Sequence, residues 1–552
     1  MKKKNNDDVR ILVATLLSTF AIIVWMRWYG NKTLPTPIKE ELVAKQVEKN
    51  VEPKKEEIKE IKKEEEIKNE KVVNKRVKIN TPLLAGTINL QGLTFDDLTL
   101  NKYKKTLNDE EKIKLLNSHN ESNAFYFSYN FAGEDTDFPT KNTIWKASGD
   151  LLEVGKSIIF THTNKDKILF EVKVSIDENY MFNVEQTIKN NGKKTIIART
   201  KNLLTKKHEG DAENTVHAGF VGAINNEVEE VKYAKFKKKD IHFDDVKWAG
   251  WTDKYWLVAI TGDYSTNIYS QEDFFYTIEF RTKNKEIANG EEIKTISHIF
   301  TGAKVLKLLD EYVAKYDLPL FDRSVDFGWY YFLTKPMYSL LKVFYNFTGN
   351  FGMAIILLTL LIKSVLFPLS NKSYKSMAKI KLMQPKIDGI KKRYGDNKAM
   401  INKETVELYK KEKVNPLSGC LPMLIQIPIL FSLYKVFSIS IDMRQAPFFG
   451  YIKDLAAKDP TNIFNLFGLL PFQVSFLEIG FLPCLMALTT WLQQKMAGSS
   501  DNKAEMVTAT KIMPFMFLFL FNGMPTGLLL YWVFNNTLSM VQQYIVEKLT
   551  KK

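Results

Sequence analysis

The run MAIILLTLLIKSVLFPL, residues 353–369, decides what kind of chain this is, because a single charge, Lys363, sits inside an otherwise uncharged and largely apolar stretch. With Phe351 and Gly352 it reaches about 19 residues, close to the roughly 20 needed to cross the hydrocarbon core at 1.5 Å per residue, so it reads as a membrane-spanning helix. A lysine within such a helix costs about 2.5–3.5 kcal/mol on insertion scales, and such residues normally face a protein interior or a wet cavity. Thr359 at i−4 and Ser370 at i+7 extend a narrow polar stripe along the same face. The competing reading is a snorkelling lysine: Lys363 lies about 9 Å along the axis from Leu369, within reach of a four-carbon stem.

Four more apolar helices are expected after this one, at about 416–441, 476–495, 508–523 and 527–546. An N-terminal run, ILVATLLSTFAIIVWM at 11–26, makes six. It follows Lys2, Lys3, Lys4 and Arg10 and is succeeded by Arg27, Trp28 and Tyr29 rather than a small-residue cleavage site, which is the pattern of an uncleaved signal anchor. The connection 370–415 holds thirteen Lys and Arg against five acids, whereas 442–475 holds three of each sign. The positive-inside rule therefore puts 370–415 and both termini in the cytoplasm. Helical spacing through Ile380, Met383, Ile387 and Ile390, a break at Gly395, Asp396 and Asn397, and a second run to Lys413 make that connection a basic hairpin. Its charge at Lys391, Lys392, Arg393, Lys410 and Lys411 serves either orientation alone or docking of acidic or nucleic-acid-bearing partners.

Upstream, residues 31–79 are a mixed-charge linker, KKEEIKEIKKEEEIKNEK among them, with too few apolar residues to bury. From 80 to 315 the pattern turns to short alternating runs such as ILFEVKVSID from Ile168, with turn signals at Asn191-Gly192 and Asn289-Gly290. These predict one β-sandwich outside the cytoplasm, with Trp248, Trp251 and Trp256 as core or rim aromatics. Histidines 162, 208, 217, 242 and 298 are scattered through it and show no metal-ligand spacing, so surface histidines are favoured over a hydrolase or sugar-converting site. Residues 316–350, rich in Trp, Tyr and Phe but interrupted by charge, read as an interfacial amphipathic helix.

Composition narrows the function. The 552-residue chain carries a net charge of +15, but the excess flanks apolar helices, where orientation explains it better than nucleic acid does. Its two cysteines, Cys420 and Cys484, both fall in predicted spans, so neither a disulfide framework nor a thiol metal site is implied. Gln426 lies between Pro422 and Pro428, and Trp532, Asn536, Ser539 and Gln543 share one face of the last helix. With Lys363 they either line a wet recess or serve as interhelical glue. Lys435 reads as a snorkelling residue, and Glu478, at an outer edge, is the lone acid within these spans. That absence of buried carboxylates, with no inverted repeat, disfavours a small-solute transporter. A membrane-anchored periplasmic carbohydrate-active protein is the other rival.

The strings GNFGMAIILLTLLIKSVLFPL, NKSYKSMAKIKLMQPKI, KEKVNPLSGCLPMLIQIPILFSLYKV, MRQAPFFGYIKDL and MPTGLLLYWVFNNTLSMVQQY occur in order between Tyr316 and Val546. Through them the chain resembles the YidC membrane protein insertase family in its Gram-negative, alphaproteobacterial form; TINLQGLTFDDLTL and AGWTDKYW resemble its periplasmic domain. The resemblance implies a polytopic inner-membrane protein of six transmembrane helices, five of them an insertase core around a hydrophilic groove, with a large periplasmic β-sandwich domain. Lys363 stands where many relatives have arginine, keeping the charge without the bidentate fork, and Tyr531-Trp532 stands where a Tyr-Tyr pair is common. Groove residues by this resemblance are Lys363, Thr359, Gln426, Trp532, Asn536 and Ser539; Leu421, Ile427, Pro428, Phe517, Leu520 and Phe521 match the apolar slide. It implies no catalytic residue, cofactor or metal. Nascent membrane proteins, the Sec translocon, the ribosome and signal-recognition machinery, and the lipid bilayer are the implied partners.

Overall fold

The computed structural model describes residues 75–210, 217–236, 239–271, 274–415, 421–468, 478–497 and 504–550. The signal anchor and most of the charged linker lie outside the described residues, as do Cys420 and part of the second core span. The chain divides into two compact units meeting at Asp326 and Phe327.

The first unit is the β domain. Its opening strand, β1 (Arg76–Asn80), already lies inside the stretch assigned to the linker, because Val77 and Ile79 alternate into the core. The domain therefore starts a few residues earlier than composition suggested. Alternation is clearest in β10 (Ile168–Ile176), where Ile168, Phe170, Val172, Val174 and Ile176 are all buried; it pairs antiparallel with β9 (Ser157–Thr163) and β11 (Met181–Asn190). Phe95 of β3 (Thr94–Lys104) meets Phe182 of β11 at 5.8 Å between ring centroids. These two strands share no ladder, so the contact is made face to face across layers.

The two turn signals fall where expected, but neither closes a hairpin. β11 pairs with β19 (Glu292–Ala303), while β12 (Ile196–Lys207) pairs with β5 (Phe125–Ser128), β6 (Phe131–Glu134), β17 (Phe275–Arg281) and β18 (Lys285–Ile287). Both turns thus carry the chain from one ladder to another. Buried Asn190 holds them together: its side chain accepts from Gly192 N at 2.9 Å and donates to Lys194 O and Ile287 O at 2.8 Å, and its carbonyl accepts from Gly290 N at 2.7 Å. An Asn-Gly pair specifies a reversal and a positive φ, such as 84° at Gly290, but not the ladder that follows.

Trp248 and Trp251 on β15 (Ile241–Thr252) are fully buried, their indole N–H groups donating to Pro319 O at 2.8 Å and Leu204 O at 3.1 Å. Trp256 opens β16 (Trp256–Ser270) and stacks edge-on against Tyr103 at 5.2 Å. The end of the unit is a helix, α1 (Leu306–Tyr316), rather than a further strand; Leu306, Leu309 and Tyr312 give it one buried face.

The second unit is helical. Of the stretch 316–350 expected as one amphipathic helix, α2 takes up Tyr331–Thr348, with short 3-10 turns at Phe321–Ser324 and Gly328–Tyr330 before it; Thr334, Tyr338 and Leu341 are buried while Phe332, Val343 and Phe347 are exposed. α3 runs unbroken from Phe351 to Tyr394, so the Lys363 span and the first arm of the basic hairpin are one 44-residue helix. No glycine-rich break separates them, and Pro368 and Pro385 are absorbed within it. Asn350 caps its start by accepting from Met353 N at 3.1 Å, and Gly395, at φ 54°, ends it. Then follow α4 (Lys398–Lys411), α5 (Leu421–Ile439), α6 (Phe481–Ala497), α7 (Ala504–Leu520) and α8 (Thr526–Thr550). Among the described residues α3 is the one helix with an apolar window of at least 18 residues, and α5 carries a shorter apolar run, Leu424–Ile439.

Candidate functional site around Lys363

α3 and α8 run side by side, and Lys363 reaches across the seam to donate to Ser539 Oγ at 2.6 Å. Ser539, itself buried, donates in turn to the carbonyl of Asn535 at 2.8 Å. The ammonium thus uses one of its three donors on a neutral hydroxyl, and among the described residues no carboxylate forms an ion pair with it. A half-buried cation with unused donors attracts carboxylate oxygens.

The other expected groove residues are not all gathered here. Thr359 is buried and turned onto its own helix, donating to Ile355 O at 2.7 Å. Gln426 on α5 donates to the Tyr531 hydroxyl. Asn536 donates to Thr489 Oγ1 at 3.2 Å and Thr490 Oγ1 at 2.9 Å, and Trp532 Nε1 to Thr490 at 3.3 Å. That part of the α8 stripe therefore joins α8 to α6, the glue alternative left open by the sequence, while Ser539 alone meets Lys363. Thr489 and Thr490 were missed; an adjacent threonine pair in the apolar run MALTTWL was the available signal.

Of the six apolar slide positions, Ile427 is exposed on α5 and Pro428 partly so; the Leu421 side chain lies outside what is described. On α7, Phe517 packs edge-on to Trp532 at 5.9 Å, and Phe521, just beyond the helix, is buried against Trp532 at 5.1 Å. Leu520 is half-buried. Trp532 thus forms an apolar joint between α7 and α8.

The five basic hairpin residues do not form one patch. Lys391, Lys392 and Arg393 occupy the tip end of α3, whereas Lys410 and Lys411 close α4, about 21 Å back along that 14-residue helix. Lys386 and Glu412, 2.9 Å apart, bridge the two arms near the base. Lys381 was also missed: it donates to Met496 O at 2.6 Å and to Glu547 at 3.0 Å, tying α3 to α6 and α8.

In the β domain the histidines are engaged locally. His208 stacks on Tyr233 at 4.1 Å, His217 contacts Phe220 O at 2.8 Å, and His298 bonds Asn183 at 2.9 Å. Lys304 is buried, donating to Thr252 Oγ1 at 3.0 Å and Ser324 O at 3.2 Å; burial lowers its pKa to about 8.

Residues 343–552 match the family model described as 60Kd inner membrane protein, and residues 76–340 the one described as YidC periplasmic domain. A membrane protein insertase YidC of Rickettsia felis is 44% identical over 489 residues, covering 86% of this chain and 87% of the relative. That of Rickettsia canadensis is 45% identical over 491 residues with the same coverage. Among solved structures, an active YidC insertase with its first transmembrane domain resolved aligns over 85% of this chain and 92% of that one, at 19% identity and TM-score 0.36. A galactose mutarotase-like protein from Lactobacillus casei aligns over 41% of this chain and 100% of its own, at 9% identity and TM-score 0.31.

Proposed function

Because the chain belongs to the YidC family of membrane protein insertases, we propose that it performs insertion by offering the Lys363 ammonium to acidic residues of a hydrophilic segment entering between its core helices. Membrane protein insertion is the function of the chain, and it is an inner membrane protein with a periplasmic β domain. The observation that carries the site reading is the Lys363–Ser539 contact at 2.6 Å, which leaves the charge uncompensated by any described carboxylate.

The mechanism is thermodynamic. Nascent membrane proteins arrive from the cytoplasm, and their polar segment exchanges part of its hydration for Lys363 and the hydroxyls beside it. Their apolar stretch meanwhile moves along α5 and α7, past Ile427, Pro428, Phe517 and Leu520, with Leu421 at the start of that path. Phe521 and Trp532 form its packed floor. Lipid burial of the stretch, at about 25 cal/mol per Å² of apolar surface, then drives release of the polar segment to the far side. No side chain undergoes covalent chemistry in this scheme, and no cofactor or metal takes part.

Six spans with both termini cytoplasmic complete the reading, supported by the charge asymmetry of the connections. The basic residues at the tip and base of the α3–α4 hairpin then face the cytoplasm, where the ribosome, the signal-recognition machinery and the Sec translocon present substrates. Complementation of an insertase-depleted Gram-negative strain tests the reading, scored by insertion of a short acidic-tailed membrane protein. Wild type, Lys363→Arg and a deletion of residues 80–300 are expected to rescue, and Lys363→Glu to fail. Equal rescue by Lys363→Glu sinks charge capture; failure of the deletion, with the core expressed and folded, moves the essential work to the β domain.

A further inference from the structure

A cavity of about 600 Å³ opens along the outside of the α3–α8 seam. Lys363 marks one end of it and Lys375 and Lys379 the other, with Gln542 between them. The wall is largely apolar: Phe367 from α3 and Val541 and Ile545 from α8, with Leu360 one turn beyond Lys363, each between 41% and 54% exposed, and Ser364 and Asn371 of α3 as its polar interruptions. Apolar side chains so exposed at the depth of the hydrocarbon are a surface for acyl chains rather than for water. No acidic residue lines the cavity among the described residues, and Glu412, which feels the charge of Lys379, is held by Lys386 at 2.9 Å. Gln542 Nε2 is buried and has no hydrogen-bond partner among the described residues.

Depth fixes the chemistry. Measured from the middle of the 351–369 span, Lys375 lies about 22 Å along the axis, beyond the ~15 Å half-thickness of the hydrocarbon and at the level of headgroups. Lys379 stands one turn further on the same face. Lys379 is rooted about 28 Å out, just beyond the headgroup layer, and a lysine stem leaning toward the helix N-terminus carries its ammonium back to that layer beside Lys375. Two exposed cations so placed above a largely apolar crevice match a phosphate diester carried on acyl chains.

We propose that this cavity binds an anionic phospholipid of the phosphatidylglycerol type from the leaflet on the hairpin side. Its phosphate sits between Lys375 and Lys379, and one acyl chain lies along Phe367, Val541 and Ile545 toward Leu360. The side of the membrane, though not the binding itself, rests on the topology given under Proposed function. A bound lipid places negative charge near the entrance that leads to Lys363, so insertion of acidic segments becomes sensitive to lipid composition.

The test is native mass spectrometry of the full chain in detergent, titrated with dioleoylphosphatidylglycerol or dioleoylphosphatidylcholine. Wild type is expected to retain one phosphatidylglycerol under conditions that strip phosphatidylcholine. The double variant Lys375→Gln, Lys379→Gln should weaken that binding roughly tenfold to thirtyfold, and Lys375→Arg, Lys379→Arg should restore it. Equal retention of both lipids, or unchanged binding by the glutamine variant, overturns the proposal. So does displacement by millimolar inorganic phosphate, which makes the site a free-anion site. Binding only after removal of residues 1–30 means that the anchor covers the crevice. Cross-linking of an acidic peptide to both lysines, with lipid adducts unaffected by the variants, means that polypeptide is the occupant; either result also overturns it. Binding is read without insertion, so its failure leaves the insertase reading standing.

Discussion

Lys381 and Glu547 meet at 3.0 Å although 166 residues separate them in the chain, and Lys381 simultaneously donates to the carbonyl of Met496 at 2.6 Å. One side chain therefore fastens the hairpin end of α3 to the ends of α6 and α8. The pair is partly exposed, with Lys381 at 39% and Glu547 at 19%, so its worth to global stability is small, about 0.5–1 kcal/mol. Its effect is expected in local opening. Lys381→Gln should speed hydrogen exchange through residues 375–394 several-fold with little change in melting temperature. The exchanged pair Lys381→Glu, Glu547→Lys should recover most of the protection, and unchanged exchange in the single variant would remove the clamp.

Ser539 sets how free the Lys363 charge is. Ser539→Ala removes an acceptor but no charge and is expected to retain insertion within a few-fold. Ser539→Asp places a carboxylate where the hydroxyl meets the ammonium, neutralising it internally. Insertion of an acidic-tailed substrate should then fall as far as it does in Lys363→Glu, while a substrate with an uncharged tail is affected less. Equal loss for both substrates would point to structural damage instead.

Asp442 takes two bonds from α2: the Tyr338 hydroxyl at 2.5 Å and the Lys342 ammonium at 2.6 Å. These hold the amphipathic helix to the end of α5. Asp442→Asn keeps the shape but weakens both, at a cost of about 1–3 kcal/mol. The check is the melting temperature of the full chain in detergent, with a double-mutant cycle against Lys342→Met. Additive effects in that cycle would rule out coupling through the ion pair.

Lys304 gives the β domain a pH dependence of definite sign. Its folded pKa is depressed to about 8 by burial, against 10.5 for the ordinary group, with Asp253, Asp326 and Glu230 opposing the shift and Lys206 adding to it. Below pH 8 the ammonium is retained in both states and the burial penalty is fully present. Between about 8 and 10.5 the unfolded chain binds more protons, so stability rises with pH. The swing is about 3 kcal/mol, at 1.36 kcal/mol per pKa unit. Thermal unfolding of wild type and Lys304→Met across this range should show wild type gaining on the variant as pH rises; a parallel course would place the titration elsewhere.

The sequence by itself determined the division into a β domain and a helical membrane unit, the position of the charged residue, the hairpin break at Gly395, and the family. These are properties of local pattern: alternation through β10, apolar length from Phe351, and the charge bias of 370–415 are all written within a few tens of residues. The tertiary structure decided the pairings. Asn191-Gly192 and Asn289-Gly290 announce turns, yet both lead between ladders, because ladder choice depends on strands far away in the chain. The polar stripe of α8 was legible as a stripe, but Asn536 and Trp532 bond α6 while Ser539 bonds Lys363. Periodicity gives the face a side chain occupies; which neighbour meets that face is set by how helices rotate and pack, and close contacts such as Gly352 against the Phe448 ring are fixed only once the whole unit is assembled.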